Sequence, residues 1–154
     1  MNTSDFKRDD WLVIGLALVL VIDLIALPWF DIGVAAFGFH ASYTAAATSA
    51  PDGVFGLLAF LLALLVGADL VIERLSPQTT LPNIGGSRTL TRWWLTVAAA
   101  AFVALKFVTN IHFNDFGFGF WLAVILTAGL LYTTWMLSKD RAVLPAAPGG
   151  PTNV

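Results

Sequence analysis

Asp23, Asp69 and Lys106 are ionisable residues set inside long apolar runs of this 154-residue chain. Such residues are rare in hydrocarbon; where they occur they pair, face a wet cavity, or move protons and ions. Asp23 interrupts the stretch VIDLIALPWF six residues before Trp29, and Lys106 lies four residues before Asn110. At a rise of about 1.5 Å per helical residue, these spacings place them about 9 Å and about 6 Å inside one boundary. Opposite signs at matching depth predict an Asp23–Lys106 ion pair between the first and third helices. The pair would clasp the helices in register; the other roles open to it are a proton- or ion-responsive element of a transport path, or a lysine that snorkels alone to the outer headgroups. Asp69 belongs near the opposite boundary with Glu73, Arg74 and Arg92, where interfacial charges satisfied by Arg74, Arg92 or water are expected.

Other chemistry is poorly supplied. His40 and His112, with Asp31, Asp52, Asn114 and Asp115, fall between the apolar runs, but no H-x-x-x-H or comparable ligand spacing joins them. Haem held by two histidines needs its ligands on facing helices, and these two sit in connecting segments. Cysteine is absent, which removes disulfides, thiolate metal sites and thiol nucleophiles together. There is no G-x-S-x-G, no phosphate loop after a strand and no carboxylate pair on an obvious cleft; Gly117-Phe118-Gly119-Phe120 reads as a flexible helix start. A net charge of −2 argues against a nucleic-acid partner, which calls for a basic face. The expectation is a protein without catalytic residues, cofactor or metal.

The elements that position these charges follow from composition. With 58% hydrophobic and 12% charged residues, the chain carries about half the usual charged fraction of a soluble domain and belongs to the membrane class. Four stretches approach the about 20 residues needed to cross a bilayer: residues 11–29, 54–72, 93–109 and 118–137. They predict an all-α integral membrane fold, a four-transmembrane-helix bundle over residues 1–141, with a disordered tail over 142–154. Lys7, Arg8, Arg74, Arg88, Arg92, Lys139 and Arg141 all fall on one side of this arrangement, so both termini are expected in the cytoplasm of a multi-pass cell-membrane protein. Trp11, Trp29, Trp93, Trp94, Trp121 and Trp135 lie near the span ends and read as membrane-interface anchors. The first run ends in Leu-Pro-Trp-Phe rather than a small-x-small cleavage site, so it reads as a retained helix that Pro28 terminates.

Between the first two spans, Ala35, Phe37, Phe39, Ala41 and Tyr43 alternate with smaller or polar residues, the period of a half-buried strand. It needs a partner for its backbone groups, either Ile111 to Asn114 or a strand folded back from Ala45 to Ser49. Ser87 to Thr91 reads as the cap of the third span. Ala59, Ala63 and Gly67, and Thr96, Ala100 and Ala104, form small-residue stripes that allow close helix approach.

From Leu27-Pro28-Trp29-Phe30 through the Gly- and aromatic-rich segment and three further spans, the chain resembles small four-span membrane proteins of actinobacterial type. The resemblance implies a layout and brings no functional residue. The layout is also similar to that of claudin-like tetraspans, although the Trp, Gly-Leu-Trp and paired-cysteine signature of their first outer loop is missing. The functional expectation is a structural or accessory membrane protein acting on a larger assembly or on copies of itself, with the bilayer and other membrane proteins as partners. The alternative is a small oligomeric transporter or channel using Asp23 and Lys106.

Overall fold

The computed structural model describes residues 7–36, 39–49, 52–76, 78–79, 87–111 and 116–142. Four helices dominate: α1 (Arg8–Ala26), α2 (Gly53–Leu75), α3 (Arg88–Thr109) and α4 (Phe118–Ala142), with strands β1 (Phe30–Ala36) and β2 (Phe39–Ala45) between α1 and α2. Each helix packs on two neighbours, in the ring order α1, α2, α3, α4. Two sets of contacts show that neighbours run antiparallel. Near the strands, the end of α1, the starts of α2 and α4 and the end of α3 meet. At the far end, Asp10 of α1, Arg74 of α2 and Arg92 of α3 lie together with their partners. We call these the hairpin end and the arginine end.

Helices α2, α3 and α4 are each long and apolar enough to cross a membrane. α1 has 19 residues but contains Asp9, Asp10 and Asp23, and on composition it does not join that group. The buried seam is made of Val13, Leu20 and Leu24 of α1, Val66 and Leu70 of α2 and Leu130 of α4, all inaccessible. Large apolar side chains such as Leu18, Ile22, Leu61, Leu65, Val108 and Ile125 face outward. Helices α2 and α4 are therefore apolar on both faces, whereas the buried face of α3 carries Thr89, Thr91, Arg92, Thr96 and Lys106.

The helix boundaries follow local chemistry. α1 ends at Ala26, three residues short of the expected boundary at Trp29, because Leu27 is extended (φ −91°, ψ 148°), as a residue before proline prefers. Asp52 caps α2 in the left-handed region at φ 50°, which a short polar side chain tolerates better than most. Ser87 Oγ accepts a hydrogen bond from Leu90 N at 3.1 Å and closes the start of α3, where the sequence places a cap.

The alternation read as one strand is two. β1 and β2 pair antiparallel from Phe30↔Ala45 to Ala36↔Phe39, which leaves two residues between them, the commonest hairpin connection. β2 is thus the partner that β1 needs, and β1 reaches back to Phe30, before the recognisable alternation begins. On its other side Phe30 bridges Phe116. Of Ile111 to Asn114, the alternative partner strand, residues 112–114 lie outside the described residues, as do residues 143–154 of the expected tail over 142–154. Trp29 N also donates to Ala45 O at 2.8 Å, and Gly117 N to Trp29 O at 2.8 Å, so the hairpin base is joined to both α1 and α4.

Candidate functional site

At the hairpin end, α1 stops early enough for the chain to fold back on itself. The turn at Pro28 brings the indole of Trp29 over the last turn of α1, where Nε1 donates to Asp23 Oδ2 at 3.2 Å. Asp23 is fully buried, and its Oδ1 has no hydrogen-bond partner. Lys106, one turn from the end of α3, is also fully buried. Its Nζ donates to the carbonyls of Ala47, of Ser49 (3.3 Å) and of Asp52 (3.4 Å). The ammonium lies 5.5 Å from the Phe30 ring centroid and 6.0 Å from that of Trp29, within cation–π range. Asn110 Nδ2 extends the cluster, donating to Asp52 Oδ2 at 3.2 Å and to Lys106 O at 2.9 Å.

The two charges expected to pair do share one end of the bundle, but they do not form an ion pair. Asp23 takes the indole N–H, Lys106 takes backbone carbonyls, and Trp29 stands between them. Two features hidden from depth arithmetic explain this: the chain after Pro28 returns onto α1, and Ala47, Ser49 and Asp52 bring their carbonyls to the end of α3. Lys106 thereby fastens the segment after the hairpin to a helix distant in sequence. An ammonium whose three donors have three carbonyls within reach is engaged in binding its own chain.

Trp29 also departs from the anchor role. It is 1% exposed, packed edge-on against Phe120 at a centroid separation of 5.7 Å. A buried indole needs an acceptor, and Asp23 supplies it. Trp11, Trp94, Trp121 and Trp135 do lie at the surface. Trp93 is half-buried and sits edge-on to Trp94 at 4.8 Å, while Lys139 Nζ lies 3.8 Å over the Trp135 ring.

At the arginine end, Arg92 is 1% exposed. Its Nε and Nη2 both reach Asp69 Oδ2, at 3.0 and 2.5 Å, and Nη2 also meets Glu73 Oε2 at 2.6 Å. Of the two arginines proposed for Asp69, Arg92 is therefore its partner. Arg74 instead pairs with Asp10 Oδ2 at 2.5 Å, across α1 and α2. Asp10 was not singled out from sequence; its signal was present, since the first turn of α1 faces the last turn of an antiparallel α2. The same carboxylate accepts from Lys7 N at 3.0 Å and closes the start of α1.

Asp10 and Asp23 are 13 residues apart on one helix, about 20 Å along its axis. Between the two clusters the interior is lined by Ala63, Val66, Ala99 and Val103. The small stripe of α2 serves internal packing, with Ala59 and Ala63 fully buried and the Gly67 backbone close to Ala17. Thr89, Thr127 and Thr134 are further buried polar residues that sequence reading passed over, and Thr127 Oγ1 has no partner. Nothing in the letters distinguishes a threonine bonded to its own helix from one that is not. His40 lies opposite Ala35 in the hairpin; His112, Asn114 and Asp115 fall outside the described residues. No family model, curated protein or solved structure matches the chain.

Proposed function

We propose that this is a structural or accessory integral membrane protein rather than an enzyme, a subunit of a larger membrane assembly or of an assembly of its own copies. In this reading all four helices cross the bilayer, α1 included, with both termini in the cytoplasm and the hairpin outside. The observation that carries it is how the buried charges are used. Arg92 is engaged by Asp69 and Glu73, Arg74 by Asp10, and Lys106 by the chain's own carbonyls. Each of these contacts joins two parts of the fold, and none of these charged side chains lines either of the two apolar grooves between neighbouring helices. What the molecule presents outward is an apolar helix surface and a short hairpin, which suit contact with lipid and with other membrane proteins.

Crosslinking in native membranes, followed by native gels in mild detergent, tests this. The expected result is a discrete species larger than one chain, containing either several copies or a constant partner. A strictly monomeric chain with no partner would overturn it. A transport role has one observation in its favour, the unpartnered oxygen of buried Asp23, and the layer between the charge clusters, uncharged and polar only at Thr96 and Thr127 among its described buried residues, stands against it. Ion flux in proteoliposomes that Asp23→Asn abolishes would place the transport reading first.

A further inference from the structure

Where the end of α4 meets the start of α1, at the arginine end, the two helices leave a pocket of about 140 Å³ between them. Leu12, Met136 and Leu137 form its apolar part, and Asp9, Tyr132 and Thr133 add polar lining. Asp9 and Tyr132 are exposed, so this polar lining can be reached from outside. The Thr133 hydroxyl is engaged by its own helix, donating to the carbonyls of Gly129 and Leu130.

Asp9 is the carboxylate that the fold does not use. At the same end Asp10 holds Arg74, and Asp69 and Glu73 hold Arg92. Among the described residues Asp9 has neither an ion-pair partner nor a side-chain hydrogen bond, and the Tyr132 hydroxyl is likewise unbonded. Cations without a carboxylate flank the pocket. Arg8 lies one turn before Leu12 on the same side of α1, and Lys139 rests its Nζ over the Trp135 ring at 3.8 Å. Neither forms an ion pair among the described residues.

The level of the pocket restricts what can complete these charges. Exposed Trp11, Tyr132 and Trp135 mark the headgroup layer at this end, and Asp9 and Lys139 lie beyond them toward the helix ends. The molecules that fill that layer are phospholipids. An ammonium at Asp9 and a phosphate near Arg8 and Lys139 are the two charges of a zwitterionic headgroup, and Leu12 and Met136 would meet the start of its chains. A primary ammonium brings three N–H donors for the carboxylate and the phenol, whereas a trimethylammonium brings none. The ring that would attract a trimethylammonium, that of Trp135, already carries Lys139.

We propose that the pocket between α1 and α4 binds the headgroup of phosphatidylethanolamine, its ammonium at Asp9 and Tyr132 and its phosphate toward Arg8 and Lys139. This rests on α1 crossing the bilayer beside α4, as in the reading above, and is independent of whether the protein self-associates.

The test is native mass spectrometry of the full chain released from nanodiscs of phosphatidylethanolamine, phosphatidylcholine and phosphatidylglycerol in equal parts. Expected is one retained phosphatidylethanolamine per chain, favoured over the other two roughly three- to tenfold, the span between an exposed ion pair and a charged hydrogen bond. Asp9→Asn should remove the preference, Tyr132→Phe should reduce it, and Asp9→Lys should turn it toward phosphatidylglycerol. Substitution of exposed Asp9 leaves the Asp10–Arg74 contact in place, so melts should hardly change; if Asp9→Lys fails to fold, the milder Asp9→Asn carries the test. Equal retention of the three lipids, a preference of the unaltered chain for phosphatidylglycerol, or a preference for phosphatidylethanolamine that survives Asp9→Asn overturns the proposal. So does loss of a dimer in Asp9→Asn without any lipid preference, which would give Asp9 a cation from a second copy. Release of the chain from vesicles by alkaline carbonate would defeat the membrane reading and this site with it, whereas an embedded chain without lipid preference defeats the site alone. A monomer that keeps the preference defeats the assembly role and leaves the site standing.

Discussion

Trp29 serves two charges with one side chain, its N–H on the Asp23 carboxyl and its ring beside the Lys106 ammonium. That arrangement sets how the three residues are coupled. In a double-mutant cycle followed by thermal unfolding in detergent, Asp23→Asn and Trp29→Phe should show an interaction energy of about 0.5–1.5 kcal/mol, the range of a hydrogen bond. Asp23→Asn with Lys106→Gln should show less, because these two act only through the indole between them. Stronger coupling between Asp23 and Lys106 would mean that carboxylate and ammonium meet directly. Sequence made both residues conspicuous, since charge in an apolar run is easy to see and depth can be counted. Their partners were not legible, because one is an aromatic ring that follows a proline turn and the others are main-chain carbonyls, which every residue possesses.

Helix α2 is held at its start by the chain that precedes it. Gly56 has no side chain where the backbone of Ala47 lies against the helix, and a Cβ there would run into the Ala47 carbonyl. Ala47 is also one of the carbonyls that hold Lys106, so the neighbour cannot easily give way. Gly56→Ala is expected to lower stability by about 1–3 kcal/mol, as overpacking does. Gly15→Ala, on a helix position with nothing within 4 Å of the added carbon, should be neutral or stabilising by up to about 1 kcal/mol. Paired melts of the two variants check this, and equal effects would show that residues 47–48 do not pack on α2. The elements were read from sequence to different depths for physical reasons. Long apolar runs announce helices, so α2, α3 and α4 were evident. A hydropathy window does not feel the steric demand of Pro28 on Leu27, so the end of α1 was placed at Trp29. A period of two is the same in one strand and in two joined by a short turn, so the hairpin was read as a single strand.

The whole molecule is a ring of antiparallel helices with a hairpin at one end and paired arginines at the other. A chain without cysteine makes its proposed orientation easy to measure. Ser42→Cys and Gln78→Cys introduce single thiols at exposed positions, the first on β2 and the second beyond α2. A membrane-impermeant maleimide on intact cells should label the first variant and reach the second only after permeabilisation. The reverse pattern would invert the orientation, and labelling of both from outside would refute the expected sidedness. The clasp of Lys106 has a further consequence in time. Its carbonyl acceptors at residues 47, 49 and 52 are synthesised before the lysine itself, and domains emerging from the ribosome fold from the N-terminal side first. The segment after the hairpin, held until then only through Thr48 N to Leu24 O, therefore waits for its second fastening until the third helix arrives. A released chain truncated after residue 86 should be cut by protease between residues 46 and 49 faster than the complete chain, and equal resistance would show that this segment is held without its lysine. Biogenesis of this protein would then have a built-in latch, open in the nascent chain and shut only when the third span is in place.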